Sequence, residues 1–191
     1  MCFKKIWNFL WKSNSILSWI IDIVLIFIIV KFIIFPVMSL VLTTSLPLVI
    51  IESRSMEHEG SFDSWFSLHG RWYLENNITA QEIKDYWPWQ SGLNKGDVIV
   101  VKGSRNKDYK KGEVIIFKIK EQKTPIIHRI VRIEEKEING TVEKIFSTKG
   151  DHNDGQLPYE LEIKKEQIIG KAWLRVPAIG WVKLFFVEIF K

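Results

Sequence analysis

Ile50-Ile51-Glu52-Ser53-Arg54-Ser55-Met56 is the junction of the chain. Residues 16–51, leading into it, hold only two charged side chains, Asp22 and Lys31. Beyond it the sequence is polar and rich in both signs of charge. Leu48-Val49-Ile50-Ile51 reads as a buried strand that runs into two serines two positions apart. A serine attacks a carbonyl only when a base takes its proton. The four histidines, at 58, 69, 128 and 152, are the candidate bases, because the lysines mostly lie in solvated charge runs.

Working back toward the N-terminus, Phe3, Ile6, Trp7, Leu10 and Trp11 fall at helical spacing among Lys4, Lys5 and Lys12. Residues 1–15 are therefore expected to form a basic interfacial segment. Residues 16–38 form an apolar stretch of the length a helix needs to cross a bilayer, with Pro36 and Pro47 bracketing its exit. The stretch is too long for the apolar region of a cleaved signal peptide, and no Ala-x-Ala-like site follows it. It is read as a permanent single-pass anchor in the cell membrane. The lysines before it place the N-terminus in the cytoplasm and the rest of the chain outside.

Working forward, residues 57–94 read as an insertion carrying Trp65, Trp72, Trp87 and Trp89. Thr79-Ala80-Gln81-Glu82 has capping-box spacing, and Pro88 stops the helix it opens. The tryptophans suit either a lipid interface or packing over the domain that follows. From Lys95 the pattern is β: strands over 98–101, 113–119, 126–133, 142–148 and 167–176 follow one another, with turn signals at Gly96-Asp97, Lys111-Gly112, Asn139-Gly140 and Lys149–Gly155. Short turns without long intervening helices predict a mainly β fold, an antiparallel barrel-like domain over 39–180 behind one transmembrane helix. Residues 181–191 alternate apolar and charged side chains. They are too few to span a bilayer and are expected to form a short interfacial helix.

The balance of 27 Lys+Arg against 22 Asp+Glu leaves a net charge of +5. The basic residues are scattered among acidic ones, with no Arg-rich helix or RNA-binding motif. This excludes nucleic acid and favours a lipid bilayer as the anionic partner. Cys2 is the one cysteine, so no intramolecular disulfide forms. The histidine spacing matches no zinc pattern such as His-Glu-x-x-His, and no metal or other cofactor is expected.

Three segments then assemble into one chemistry. Ser55 follows a buried strand, His128 lies inside a strand between Ile126 and Ile130, and Asp151 and Asp154 lie in a Gly-flanked turn. A nucleophile, a neutral imidazole base and an orienting carboxylate are what acyl transfer requires. Glu52-Ser-Arg-Ser-Met56 resembles the Ser-Gly-Ser-Met box of type I signal peptidases. Gly96-Asp97-Val-Ile-Val-Val101 and Gly112-Glu-Val-Ile-Ile-Phe117 resemble the two strand boxes of that family. Ile127-His-Arg-Ile-Val131 is similar to the His-Arg-Val segment of its archaeal and endoplasmic-reticulum branch, which uses histidine where bacterial members use lysine. Ser147-Thr-Lys-Gly-Asp-His-Asn153 resembles the Thr-Lys-Gly-Asp-Asn-Asn box. Ile168-Ile-Gly-Lys-Ala172, Arg175-Val-Pro and Gly180-Trp-Val-Lys183 match the closing strand and tail.

The resemblance implies a membrane-bound serine endopeptidase of archaeal type that removes signal peptides from exported preproteins, with room for membrane partner subunits. Carried over by position, Ser55 is the nucleophile and His128 the general base. Ser53 donates its hydroxyl to the oxyanion hole, and Asp151 is the acidic residue of the Gly-Asp box. Relatives carry a second Asp several residues later. Here that region reads Gln156-Leu157-Pro158, so Asp151 and Asp154 both stand as candidates to orient His128. Arg54 replaces the box glycine, and Glu57-His58 replaces the usual x-Pro. The altered box leaves a second reading, a non-enzymatic membrane-anchored β module that binds a partner through its Trp-rich insertion.

Overall fold

The computed structural model describes residues 15–138 and 140–189. Most of the basic segment expected over 1–15 lies outside the described residues, as do the last two positions of the chain. The described chain divides into two compact units, one ending at Val41 and one beginning at Leu42.

The first unit is one continuous apolar helix, Ile16–Val41, of 26 residues. At about 1.5 Å per residue it is long enough to cross a bilayer. It is the one such helix among the described residues. Helix α1 (Ile16–Ile29) starts at Ser15, whose hydroxyl accepts from the Ser18 N–H. A π-turn over Val30–Ile34 follows, then α2 (Phe35–Val41). The π-turn has a local cause. Pro36 has no N–H to donate and its ring crowds the carbonyl four residues back. Widening the turn lets the Phe35 N–H reach the Val30 carbonyl instead. The helix thus runs through Pro36 and ends three residues beyond the expected Met38.

The second unit is a seven-stranded antiparallel sheet that curls into a half-barrel, as its turn-separated strands predicted. Its strands are β1 (Leu48–Ile50), β2 (Val98–Lys102), β3 (Val114–Phe117), β4 (Ile126–Ile138), β5 (Thr141–Lys149), β6 (Ile163–Lys164) and β7 (Ile168–Val176). Their spatial order is β1-β2-β7-β3-β4-β5-β6. Strand β3 lies at the centre and explains why its sequence is uninterruptedly apolar. Ile115 and Phe117 enter one core cluster with Ile130, Phe146 and Ile168, while Val114 and Ile116 enter another with Ile51, Met56 and Leu93. A strand covered on both faces has no solvent side to make polar.

The insertion folds into α3 (Phe62–Glu75) and α4 (Ala80–Tyr86). Ser61 and Thr79 cap them, each hydroxyl accepting the N–H three residues on. Trp65, Tyr73, Ile78, Ile83 and Trp87 form a third core cluster that closes on Val131 of β4. Two of the insertion tryptophans, Trp65 and Trp87, are therefore core residues over the sheet. After β7, α5 (Trp181–Ile189) packs its first turn back on the sheet: the Gly180 N–H donates to the Gly96 carbonyl at 2.8 Å. A Cβ at Gly96, where φ is +90°, would overlap the Trp181 indole.

Candidate active site

The serine segment is held at both ends by apolar anchors. Ile51 is buried, with its N–H donating to Asp97 O and its carbonyl accepting from Gly96 N–H. Met56 is buried in the same cluster, with its carbonyl accepting from Leu93 N–H. Between them the chain turns, the Glu57 N–H donating to Arg54 O, and Ser53 and Ser55 are left projecting. Arg54 is not among the residues with positive φ, so losing the box glycine costs no backbone strain here. Its guanidinium turns outward to Glu57 and Glu59.

Ser55 Oγ lies 3.0 Å from His128 Nε2, and Ser53 Oγ lies 3.1 Å from Ser55 Oγ. His128 is brought here by β4, where it faces Ile115 of β3 in register, and it is buried. Its Nδ1 lies 2.5 Å from Glu160 Oε1. Glu160 belongs to a single 3-10 turn, Pro158–Glu160, and is fully buried. The same carboxylate accepts from the Leu157 N–H at 2.7 Å and from the Thr148 hydroxyl at 3.4 Å. With Glu160 as a carboxylate and a neutral imidazole, His128 Nδ1 carries the hydrogen, Nε2 accepts from the Ser55 hydroxyl, and Ser53 donates to Ser55. The four side chains stand in one hydrogen-bonded line, Ser53, Ser55, His128 and Glu160.

The two aspartates expected beside His128 are elsewhere. Asp154 is exposed. Asp151 is fully buried, and its carboxylate accepts from Arg129 Nη2 at 2.6 Å, from Tyr73 Oη at 3.0 Å and from His58 Nε2 at 2.9 Å. Burial pushes the Asp151 carboxyl up, but the Arg129 guanidinium and the His58 bond outweigh it and hold the group well below the usual carboxylate range. Arg129 is buried too, and its remaining N–H groups donate to the carbonyls of Pro88, Trp89 and Gly112. Sequence order misdirected the choice of carboxylate. Glu160 lies nine residues beyond Asp151, past a proline, and is one of many surface-type glutamates by composition. The one signal was Leu157-Pro158-Tyr159-Glu160, a proline followed by an acid that can cap its own turn.

Asp151 still reaches the site through its neighbours. A Cβ on Gly150 would meet His128 Nε2 and Ser55 O at 2.9 Å each, so only glycine lets this turn lie against the pair. The His152 N–H donates to Ser55 O at 2.8 Å. Lys149, at the end of β5, is buried, and burial lowers its ammonium to about 8 despite Asp151 and Glu160. Its Nζ donates to Gly150 O and sits 4.6 Å from the centre of the Tyr73 ring. His69 and His152 have ring centres 4.6 Å apart. Among the described residues no three His, Cys, Asp or Glu side chains gather to hold a metal ion.

No family model matches the chain. It is similar to catalytic subunits of signal peptidase complexes. The human signal peptidase complex catalytic subunit SEC11C is 30% identical over 100 residues, which cover 50% of this chain and 50% of that protein. The SEC11 subunit of Zygosaccharomyces rouxii is 30% identical over 105 residues, 52% of this chain and 60% of its own. The sec11 subunit of Dictyostelium discoideum is 32% identical over 95 residues, 47% of this chain and 51% of its own. The chain thus spans about half the length of the relatives it matches, and what it is similar to, over that half, is the catalytic subunit of the signal peptidase complex.

Proposed function

We propose that this chain is a membrane-anchored serine endopeptidase that removes signal peptides from exported preproteins. The observation that carries the reading is the line of hydrogen-bonding contacts from Ser53 through Ser55 and His128 to Glu160. In the forward step Ser55 Oγ attacks the scissile carbonyl carbon and His128 Nε2 takes its proton. The Glu160 carboxylate stabilises the imidazolium that results. The Ser53 hydroxyl and the Ser55 N–H receive the oxyanion. Collapse of the tetrahedral species breaks the C–N bond, and the Nε2 proton leaves on the new amine. A water, deprotonated by the same nitrogen, then hydrolyses the ester.

Membrane attachment is supported by the helix Ile16–Val41 and by the exposed apolar side chains Trp173, Leu174, Ile179, Trp181 and Val182 of the second unit. Lys102 and Lys95 lie over the Trp173 and Trp181 rings, an arrangement suited to a headgroup layer. On this reading the chain is single-pass in the cell membrane with its N-terminus cytoplasmic, α5 lies at the lipid surface, and membrane subunits are its partners. Arg54 is outside the positive-φ region, which weighs against a strained, inactive box and so against the binding-module reading. The test is cleavage of a preprotein by the detergent-solubilised chain. Ser55→Ala should abolish cleavage while the protein remains folded. Cleavage that survives the substitution would overturn the reading.

A further inference from the structure

His58 is buried, and both of its ring nitrogens face acceptors. Nδ1 lies 2.7 Å from the Gln90 carbonyl oxygen and Nε2 lies 2.9 Å from Asp151 Oδ2. A carbonyl has no hydrogen to give. Asp151, bound by Arg129 through three contacts of 2.6 to 3.1 Å, has none either. A neutral imidazole carries one N–H, so it satisfies one of these acceptors and turns a lone pair on the other. Only the imidazolium donates to both. Its ring also lies flat on Trp65, with centroids 3.8 Å apart and planes within 10°, a contact in which the indole face favours a cation.

We propose that His58 is a positioning residue that works as an imidazolium, clamping the turn Gly150–His152 onto the serine segment so that Ser55 and His128 stay in register. This rests on the serine peptidase reading given above. Two links join the segments: the His152 N–H to Ser55 O, and His58 Nε2–H to Asp151 Oδ2. Gly150 precedes Asp151 in this turn, and a Cβ there would meet His128 Nε2 at 2.9 Å. The Gln90 bond ties His58 to the far end of the 57–94 segment, whose Trp65 Nε1–H donates to Asp151 O and whose Tyr73 hydroxyl donates to Asp151 Oδ1. The insertion is by this account a brace for the catalytic turn.

A neutral His58 would leave a lone pair against either the Gln90 carbonyl or the Asp151 carboxylate, so the clamp needs both N–H groups. The Asp151 carboxylate that His58 meets is also faced by Arg129 from β4 and by the Tyr73 hydroxyl from α3, and Lys149 of β5 acts on it through its charge. Arg129 is raised by Asp151 against its burial, and Tyr73 is pushed up by burial and by Asp151.

Two measurements test this on the full chain in detergent micelles. Nitrogen-detected NMR of histidine-labelled protein, assigned with His58→Gln, should show both His58 nitrogens protonated at neutral pH. That readout does not depend on activity. His58→Gln should lower kcat about ten- to a hundredfold with KM little changed. His58→Phe, which preserves the stack on Trp65 but donates to neither acceptor, should lower it at least as far. A singly protonated His58, or full activity in His58→Gln, overturns the proposal. An inactive wild type with a doubly protonated His58 would instead sink the peptidase reading and leave the charge state standing.

Discussion

Glu160 Oε1 lies 2.5 Å from His128 Nδ1, while Asp151, the acid that sequence order puts forward, spends its oxygens on Arg129, Tyr73 and His58. The two buried carboxylates have different tasks. On the proposed reading, one fixes the tautomer of His128 beside Ser55, and the other holds together the turn beneath them.

This division predicts opposite phenotypes. Glu160→Gln should leave the fold intact and cut kcat by on the order of 10³–10⁴, because the amide can present its NH₂ to Nδ1 and reverse the imidazole tautomer. Asp151→Asn should act first on stability, by about 3–5 kcal/mol, since it leaves the buried Arg129 charge uncompensated. Denaturant melts beside kinetics on both variants check this. A fully active Glu160→Gln would remove Glu160 from the mechanism.

Ser53 Oγ lies 3.1 Å from Ser55 Oγ, and the proposed reaction assigns its hydroxyl to the oxyanion. Ser53→Ala should therefore lower kcat by about 10²–10³, the usual cost of one oxyanion donor, with KM little changed. Ser53→Thr should recover part of that loss. Single-turnover kinetics on a peptide substrate give the split, and a loss confined to KM would assign Ser53 to substrate binding instead.

Lys149 makes stability depend on pH with a definite sign. Burial lowers its folded value to about 8, below the roughly 10.4 of an exposed lysine. Between these values the unfolded chain binds more protons than the folded one, so stability rises with pH across that window, by up to ~3 kcal/mol. Asp151 works at the other end. Its folded value is depressed, so its contribution is present above about pH 4 and is lost as pH falls further. Chemical denaturation between about pH 7 and 9.5, below the range where the raised Tyr73 and Tyr109 pull stability down, should show the rise in the wild type and lose it in Lys149→Met.

The anchor reading predicts topology. With Lys4, Lys5 and Lys12 ahead of the apolar helix, a protease applied outside intact cells should digest the second unit and spare an N-terminal epitope. Digestion of the epitope with protection of the sheet would reverse the orientation.

Much of the architecture was legible in the residues alone. An apolar run with two charges is a membrane-length helix, because nothing else satisfies that many backbone groups without water. Short β-branched runs between Gly turns are antiparallel strands, and all but the two-residue β6 stood out this way. Thr79 and Glu82 announced α4, while α3 was hidden because its buried face is made of scattered aromatics rather than a regular aliphatic stripe. Ser55 and His128 were singled out by their settings, one after a buried strand and one within another. That their atoms meet depends on the β3–β4 register and on Met56 seating the serine turn, contacts far apart in sequence. The choice of carboxylate belonged to the tertiary structure altogether. Asp151 and Glu160 are both acids near the end of β5, and local sequence ranks the nearer one first. Arg129 is the immediate neighbour of His128 on β4, and adjacent strand residues point to opposite faces. The cation on one face drew Asp151 away, and the imidazole on the other was left to Glu160, whose own turn supplies the donor that holds it there.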